Sequence, residues 1–191
     1  MHTHPFSDYV RLMEAGRWDG VAALMLSSEA KLAKAGAELV ICPVNTVHRV
    51  FDDVAKQAKL PWLHIAEEVA REAGREGYTH VGLIGTAWTM DSYFYKEKLD
   101  AYGIAICLPS EKDRKLVDRI IFDELVAAQF TAESRAYFTG LISEMRTQGC
   151  EAVVLGCTEV PLIITQENTP LPVLDSTRLL ARAALKASLE D

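Results

Sequence analysis

Glu151-Ala152-Val153-Val154-Leu155-Gly156-Cys157-Thr158-Glu159 is the segment around which the rest of the chain can be placed. Its apolar run, closed by Gly156, indicates a fully buried strand of a parallel sheet. Ligands of open α/β sheets bind beyond the carboxyl ends of the strands, so Cys157 is a candidate reactive group. Two interpretations of Cys157 are equally weighted at this point. The thiol is either a base or nucleophile beside a helix start, or a small residue buried at a tight strand end.

An earlier segment, Glu38-Leu39-Val40-Ile41-Cys42-Pro43-Val44-Asn45-Thr46, has the same plan. Aligning the two segments places Val44 opposite Cys157, and Asn45-Thr46 opposite Thr158-Glu159. Two such segments predict two related half-domains that face each other across a cleft. Their equivalent strand ends would then present groups to opposite sides of one ligand.

The composition limits the class of protein. The chain has 191 residues, of which 49% are hydrophobic and 25% charged, as is ordinary for a soluble globular protein with one domain or two small lobes. A net charge of −7 gives no reason to expect nucleic acid or a membrane as partner. No apolar run approaches a membrane span, no signal peptide opens the chain, and the four cysteines lack metal-ligand spacing. We therefore expect a reduced cytoplasmic protein without a metal site.

Helical and strand patterns alternate along the chain. Five or six strands alternating with helices predict βαβ units and a parallel α/β fold. No Gly-x-Gly-x-x-Gly follows any strand, so a nicotinamide cofactor is not expected. The predicted strands cover residues 38–43, 61–65, 78–85, 103–108, 151–156 and 171–174, and the predicted helices cover 7–36, 47–59, 66–74, 90–101, 110–128, 132–148 and 176–189.

Short polar residues follow two of the other strands. Asn45 and Thr46 come after strand 38–43, and Thr86 and Thr89 come after Gly85. Hydroxyl groups and unpaired N–H groups at a helix start suit a carboxylate, because the helix dipole favours negative charge there. The alternative is that these residues only cap the helices that follow, and the two roles are compatible.

At these residues the chain resembles the aspartate/glutamate racemase family, which works without pyridoxal phosphate. The resemblance covers essentially the whole chain, and the order of its motifs is more specific than any one of them. The matching motifs are Asn45-Thr46-Val47-His48, Gly82-Leu83-Ile84-Gly85-Thr86 with Thr89-Met90, Ile120-Ile121-Phe122-Asp123-Glu124-Leu125, Gly156-Cys157-Thr158-Glu159 and Asp175-Ser176-Thr177-Arg178.

This resemblance implies two pseudo-symmetric α/β lobes, each a parallel sheet flanked by helices, with the site in the cleft between them. The lobes would be residues 1–72 plus 175–191, and residues 73–174. The resemblance also implies a homodimer, a small carboxylate or amino-acid substrate, and no cofactor. Such enzymes invert a carbon beside a carboxylate with two acid/base groups, usually cysteines, one on each face.

On this basis Cys157 is the catalytic residue. Cys157 would act as base or acid on one face of the substrate, and Glu159 would hold the substrate ammonium or orient the thiol. Preorganised donors would stabilise the charge that builds on the substrate carboxylate. The predicted substrate-binding residues are Asn45, Thr46, Thr86, Thr89, Thr158 and Glu159.

The chain departs from the family pattern in two places. Val44 stands where the family has its first cysteine, and a valine cannot transfer a proton. The opening Met1-His2-Thr3-His4-Pro5 does not match the strand and Gly-Gly-Met type loop with which the family begins. Cys42, two residues before Val44, is a poor replacement because it would lie deeper in the strand.

Three hypotheses of function follow. The first is an aspartate/glutamate-type racemase that Val44 impairs, and it is favoured because the remaining motif series is intact. The second is a one-cysteine decarboxylase or isomerase of carboxylic acids in the same scaffold. The third is a non-catalytic carboxylate-binding homologue.

Overall fold

A four-stranded parallel sheet forms the centre of the molecule. The structure, a computed structural model, describes residues 1–190. Its strands are β1 (His80–Gly85), β2 (Ala105–Cys107), β3 (Ala152–Gly156) and β4 (Val173–Asp175), in the spatial order β2-β1-β3-β4 with every pair parallel. The prediction of an α/β fold with a parallel sheet is confirmed.

The two central strands are buried as their apolar sequences require. β1 and β3 pair from Val81 with Ala152 to Gly85 with Gly156, so the two strands end side by side. Every residue of β3 is buried, as expected where helices cover both faces of a parallel sheet. Segments that follow β1 and β3 must therefore meet at one edge of the sheet.

The helices flank this sheet or form a second layer beside it. The predicted helix over residues 7–36 is divided where Gly16 adopts a φ of 66°, a left-handed conformation that glycine tolerates. The α-helices are α1 (Phe6–Glu14), α2 (Trp18–Lys34), α3 (Phe51–Ala55), α4 (Ile65–Arg75), α5 (Ala87–Met90), α6 (Tyr93–Asp100), α7 (Glu111–Ile120), α8 (Ala132–Thr147) and α9 (Ser176–Ala187). None of the helices in residues 1–190 is long and apolar enough to cross a membrane.

Shorter helical turns replace parts of the predicted helices. The helix predicted over 47–59 is a 3₁₀ turn followed by the short α3, and the end of the helix predicted over 110–128 is a π turn. The 3₁₀ turns are Thr46–Val50, Val160–Leu162 and Gln166–Asn168, and the π turn is Ile121–Leu125.

The predicted strands 38–43 and 61–65 are wrong as full strands. They are reduced to one parallel bridge between Val40 and Trp62, in which the Val40 N–H donates to the Pro61 carbonyl over 3.0 Å. Pro43 and Pro61 bring no N–H to a ladder, and a two-stranded pair without a third strand is marginal. The sheet therefore has four strands among the described residues, fewer than the five or six predicted.

Two separate hydrophobic clusters are buried. The smaller joins α1, α2, α3 and the turn Thr46–Val50, and includes Met25 and Val50. The larger surrounds the sheet and also takes in α4 through Val69 and Ala73. The division into lobes at residue 72 stays a prediction. That boundary falls inside α4, and α4 packs with the sheet rather than with the smaller cluster.

Candidate active site

A cleft of about 330 Å³ opens where β1 and β3 end. One wall comes from the turn Thr46–Val50 and the residues before it, and another comes from the segments that follow the two strands. Of the residues predicted for the site, the cleft is lined by Val44, Asn45, Thr46, Thr86, Cys157, Thr158 and Glu159. Thr89 is the exception, because it is fully buried behind this lining.

Two paired glycines, Gly85 and Gly156, end β1 and β3, and Gly156 lines the cleft. A Cβ atom at Gly85 would lie 2.7 Å from the Gly156 carbonyl oxygen, and one at Gly156 would lie 2.8 Å from Cδ1 of Leu83. Such distances are below any ordinary contact, so these strand ends approach each other because neither bears a side chain. The polar residues that follow the two strands supply the side chains at this end of the cleft.

Cys157 and Glu159 form a hydrogen-bonded pair at the end of β3. The Cys157 thiol donates to Oε2 of Glu159 over 2.9 Å, and the Thr158 hydroxyl donates to the same oxygen over 2.6 Å. Burial, and after it the negative charge of Glu159, raises the pKa of the Cys157 thiol well above its ordinary value. The thiol is thus protonated at neutral pH and has a proton acceptor in contact with it.

Backbone N–H groups act in the opposite direction on the same sulfur. Those of Glu159 and Val160 point at Cys157 and lower its pKa, although burial outweighs them. Both belong to the turn that begins directly after β3. The turn therefore holds donors that would stabilise a thiolate once the proton has moved.

Three threonine hydroxyls form a closed triangle beside the cleft. The Oγ1 atoms of Thr46 and Thr86 are 3.0 Å apart, and each lies 3.1 Å from Oγ1 of Thr89. Three hydroxyl protons can satisfy three such contacts only if none is donated elsewhere. A ligand that accepts a proton from Thr46 or Thr86 must therefore open the triangle, which Thr89 holds in place from behind.

The side chain of Asn45 is fixed by a second buried network. The Tyr95 hydroxyl donates to Oδ1 of Asn45 over 2.6 Å, and Nδ2 of Asn45 donates to the Ser176 hydroxyl over 3.0 Å. Ser176 in turn donates to the Leu155 carbonyl over 2.7 Å, which ties the network to β3. One N–H of the Asn45 amide remains for a ligand, and its direction is set by these contacts.

Position 44, where the family resemblance places a first cysteine, offers no acid or base. Val44 lines the cleft and is 42% exposed. Cys42 does not line the cleft, since it packs against the smaller hydrophobic cluster. Among the described residues that line the cleft, Cys157 and Glu159 are the only ionisable side chains.

His48 and His64 lie outside this cleft. Nε2 of His48 donates to the Cys42 carbonyl over 2.9 Å, and Nδ1 of His64 accepts the Ala66 N–H at the start of α4. Burial lowers the pKa of His48 to about 4 and that of His64 to about 3, so both rings are neutral at pH 7. Their contacts are structural.

Several residues that support the site were not predicted. Tyr95 and Ser176 hold Asn45, and Asp118 of α7 accepts the Ala87 N–H over 2.7 Å at the loop after β1. Ser176 belongs to a recognised motif, but its partner in the network is distant in sequence. Within residues 1–190, no group of three His, Cys, Asp or Glu side chains could hold a metal ion.

The fold and the cleft define an α/β protein with a buried thiol at the carboxyl end of a central strand. A family model described as Asp/Glu/Hydantoin racemase matches residues 1–184. The chain belongs to the Asp/Glu/hydantoin racemase family, as the motifs predicted. Curated relatives include the broad specificity amino-acid racemase RacX of Bacillus subtilis, 22% identical over 90% of this chain and 74% of the relative.

The other comparisons agree with this family. The glutamate racemase of Thermus thermophilus is 29% identical over 82% of this chain, which spans 57% of that relative's length. The structure of the aspartate racemase homologue PH1733 from Pyrococcus horikoshii superimposes with a TM-score of 0.84 at 30% identity, covering 99% of this chain and 82% of the other. A Yersinia pestis structure of the Asp/Glu racemase type gives 0.89 at 34% identity, over 98% and 82%. By name, these relatives are amino-acid racemases or homologues of aspartate racemase.

Proposed function

We propose that the chain is an amino-acid racemase-type enzyme that transfers a proton at the carbon beside a carboxylate, with Cys157 as its proton-transfer group. The observation that supports this most directly is the Cys157 thiol, which faces the cleft while hydrogen-bonded to the Glu159 carboxylate. A thiol with an adjacent carboxylate can lose its proton to that carboxylate and accept another from a substrate.

The first step of the proposed reaction uses this pair. The Cys157 thiol passes its proton to Glu159, and the resulting thiolate takes the proton from Cα. The electron pair left on Cα delocalises onto the substrate carboxylate, where negative charge increases. Cys157 then returns a proton to Cα, and Glu159 returns its proton to the sulfur. These two transfers restore the Cα–H bond, the thiol and the carboxylate.

The donors for the substrate carboxylate are the polar residues of the cleft. Asn45 offers its remaining amide N–H. The hydroxyls of Thr46 and Thr86 become available when the triangle opens, and that of Thr158 when it turns from Glu159 to the substrate. Donors held rigidly at the place where charge develops are more effective than mobile water. In this proposal Thr89 is a positioning residue, since it reaches the cleft only through Thr46 and Thr86.

Val44 determines how far the reaction goes. A proton returned by Cys157 alone arrives on the face from which it was taken, which gives exchange with retention. Inversion needs a donor on the other face, where this chain has a valine in place of the family's cysteine. We therefore propose that racemisation is impaired relative to Cα–H exchange.

The same observation favours a second candidate, a one-thiol decarboxylase or isomerase of carboxylic acids. The Cys157 thiol is protonated at neutral pH, and a decarboxylase needs one proton donor on one face. A non-catalytic carboxylate-binding homologue is the third hypothesis, and nothing in the cleft favours it over these two. A homodimer rests on the family resemblance and a cytoplasmic location on the composition of the sequence, and both stay predictions.

The test is hydrogen exchange at Cα, followed by NMR in heavy water. Wild-type protein is incubated with each enantiomer of acidic and apolar amino acids, and chiral chromatography identifies the products. Cys157→Ala is the test variant and Cys150→Ala is its matched control, because Cys150 is also buried but lies before β3 and away from the cleft. We expect exchange by the wild type and the control, and none by Cys157→Ala.

The pattern of exchange separates the candidates. Exchange faster than inversion supports a racemase-type enzyme limited by Val44. No exchange with any amino acid overturns the racemase-type proposal. Malonate-type acids are then tested for release of CO₂, which the one-thiol decarboxylase predicts and a non-catalytic protein does not.

A further inference from the structure

The wall of the cleft is apolar on the sides away from the strand ends. Side chains from several separate segments of the chain contribute to it: α1, the residue before Asn45, α5, and the π turn with the residue that follows it. The apolar lining consists mainly of Phe6, Met13, Val44, Trp88, Phe122 and Val126. These segments are distant in sequence, yet their apolar side chains line the same cleft as Cys157. A ligand bound in the cleft would therefore contact them.

This wall has no positive charge. Among the described residues that line the cleft there is no lysine and no arginine, and the one acidic side chain is Glu159. The side-chain carboxylate of aspartate or glutamate would lose water here without gaining a cation. Glu159 would also repel it, whereas the same charge would attract the α-ammonium group.

The hydrogen-bond donors of the cleft are also too few for two carboxylates. The hydroxyls of Thr46 and Thr86 are engaged with each other and with Thr89, and the Thr158 hydroxyl donates to Glu159. One of the two N–H groups of the Asn45 amide donates to Ser176, which leaves one for a ligand. These groups lie near the strand ends, where the α-carboxylate would bind. No comparable set of donors lies along the apolar wall.

We infer that the substrate carries an uncharged, apolar side chain, of the size found in leucine, methionine or phenylalanine. This inference rests on the proposed function, and it specifies the substrate class of the same site. The α-carboxylate meets the threonine and asparagine donors, the α-ammonium meets Glu159, and the side chain packs against Phe122 and Val126. Family resemblance favours aspartate or glutamate, and the wall of this cleft opposes that choice.

The wall reaches the surface, which leaves room for larger side chains. Phe6 is 56% exposed and Val126 is 46% exposed, so both stand at the mouth of the cleft. A ligand that covers them removes apolar surface from water, which favours apolar side chains. Extension of the side chain from leucine to phenylalanine is therefore expected to maintain or increase affinity.

The test compares binding by isothermal titration calorimetry. Wild-type protein is titrated with both enantiomers of leucine, methionine, phenylalanine, aspartate and glutamate. We expect at least one enantiomer of each apolar amino acid to bind tenfold or more tightly than aspartate or glutamate. Equal or tighter binding of the acidic pair, or no binding of the apolar amino acids, would overturn the inference.

A charge placed in the wall provides a second test. Val126→Lys supplies the missing cation at a half-exposed position, from which a long charged side chain can reach water, and Val126→Met adds length without charge. We expect the lysine variant to bind glutamate tenfold more tightly than the wild type and leucine more weakly. The methionine variant should keep the wild-type preference. If the lysine variant gains no affinity for glutamate, Val126 does not contact the side chain and the inference fails.

Binding and exchange distinguish the two proposals. Tight binding of leucine with no Cα–H exchange by any amino acid would overturn the proposed function and keep the apolar preference. Exchange of aspartate or glutamate alone would keep the proposed function and overturn the apolar preference.

Discussion

The Sγ atom of Cys157 lies 2.9 Å from Oε2 of Glu159, and the thiol proton is directed at that carboxylate. The pair is formed by residues two positions apart, at a turn that starts as soon as β3 ends. The contact itself depends only on two neighbouring residues, whereas the burial that raises the pKa of the thiol comes from the rest of the molecule. Two causes therefore raise the pKa of this thiol, and they can be separated by mutation.

Replacement of Glu159 by glutamine removes the charge and keeps the shape. We expect Glu159→Gln to lower the pKa of Cys157, while burial keeps it above its ordinary value. The measurement is the pH dependence of alkylation by iodoacetamide, followed at the Cys157 peptide by mass spectrometry. Glu151→Gln makes the same change before the other end of β3 and should leave the profile unchanged. An unshifted profile for Glu159→Gln would show that burial alone sets the pKa.

The Tyr95 hydroxyl is predicted to hold Asn45 in its orientation for substrate. Tyr95→Phe leaves Oδ1 of Asn45 buried without a donor, which should lower the free energy of unfolding by about 1–3 kcal/mol. KM should rise more than kcat falls, because the amide is misaligned rather than removed. Urea denaturation and steady-state kinetics give the two values.

A tyrosine on the surface provides the control for this change. Tyr102 donates to Oε1 of Glu67 over 3.0 Å and is 41% exposed. Tyr102→Phe should change stability by less than about 0.5 kcal/mol and leave KM unchanged. Equal effects of the two substitutions would mean that the Tyr95 hydroxyl has no special role.

The position of Cys157, Thr86 and Asn45 in one cleft was predictable from the sequence. Each follows an apolar segment, and the carboxyl ends of parallel strands share one edge of the sheet. Asn45 reaches the cleft even though the segment before it forms only a bridge. That bridge is parallel, so the chain runs in the direction expected of a strand and brings Asn45 to the cleft. A strand needs partners on its edges, and the sequence of 38–43 alone does not say whether they exist.

The Asn45 network was not predictable in the same way. Asn45 and Ser176 are 131 positions apart, and Asn45 and Tyr95 are 50 apart. A tyrosine on a helix and a serine at a helix start have ordinary local explanations in packing and capping. Only the packing of α6 and α9 against the site shows that these hydroxyls meet the same amide. The apolar wall was missed for the same reason, since its members come from separate segments.

Stability should fall below about pH 6.5 because of the two buried histidines. Their folded pKa values are about 4 for His48 and about 3 for His64, below the 6.5 of the unfolded chain. The unfolded state therefore binds more protons between pH 6.5 and about pH 4, and stability is lost as pH falls through that window. His64→Asn keeps an acceptor for the Ala66 N–H but removes one titrating group. The slope of unfolding free energy against pH should then decrease by at most about 1.4 kcal/mol per pH unit.

Urea denaturation between pH 4.5 and pH 8 measures that slope. His80→Asn is the control, because His80 is an exposed histidine at the start of β1. The slope of this control should match that of the wild type. A wild-type protein equally stable at pH 5 and pH 7.5 would contradict the predicted role of the two buried rings.

Val44→Cys should convert one-sided proton exchange into racemisation. The cysteine would stand where the family resemblance places a first thiol. Residue 44 already lines the cleft and is half-exposed, so the cost in stability is small. A second thiol can deliver a proton to the face that Cys157 does not reach, and a positioned acid typically contributes about a hundredfold or more. We expect the rate of inversion, followed by circular dichroism with leucine and glutamate, to rise at least tenfold over the wild type. Val44→Ala opens the same space without supplying a proton and should show no gain. If the cysteine variant inverts its substrate no faster than the alanine variant, position 44 does not face Cα, and the second face of this site must be served by another group.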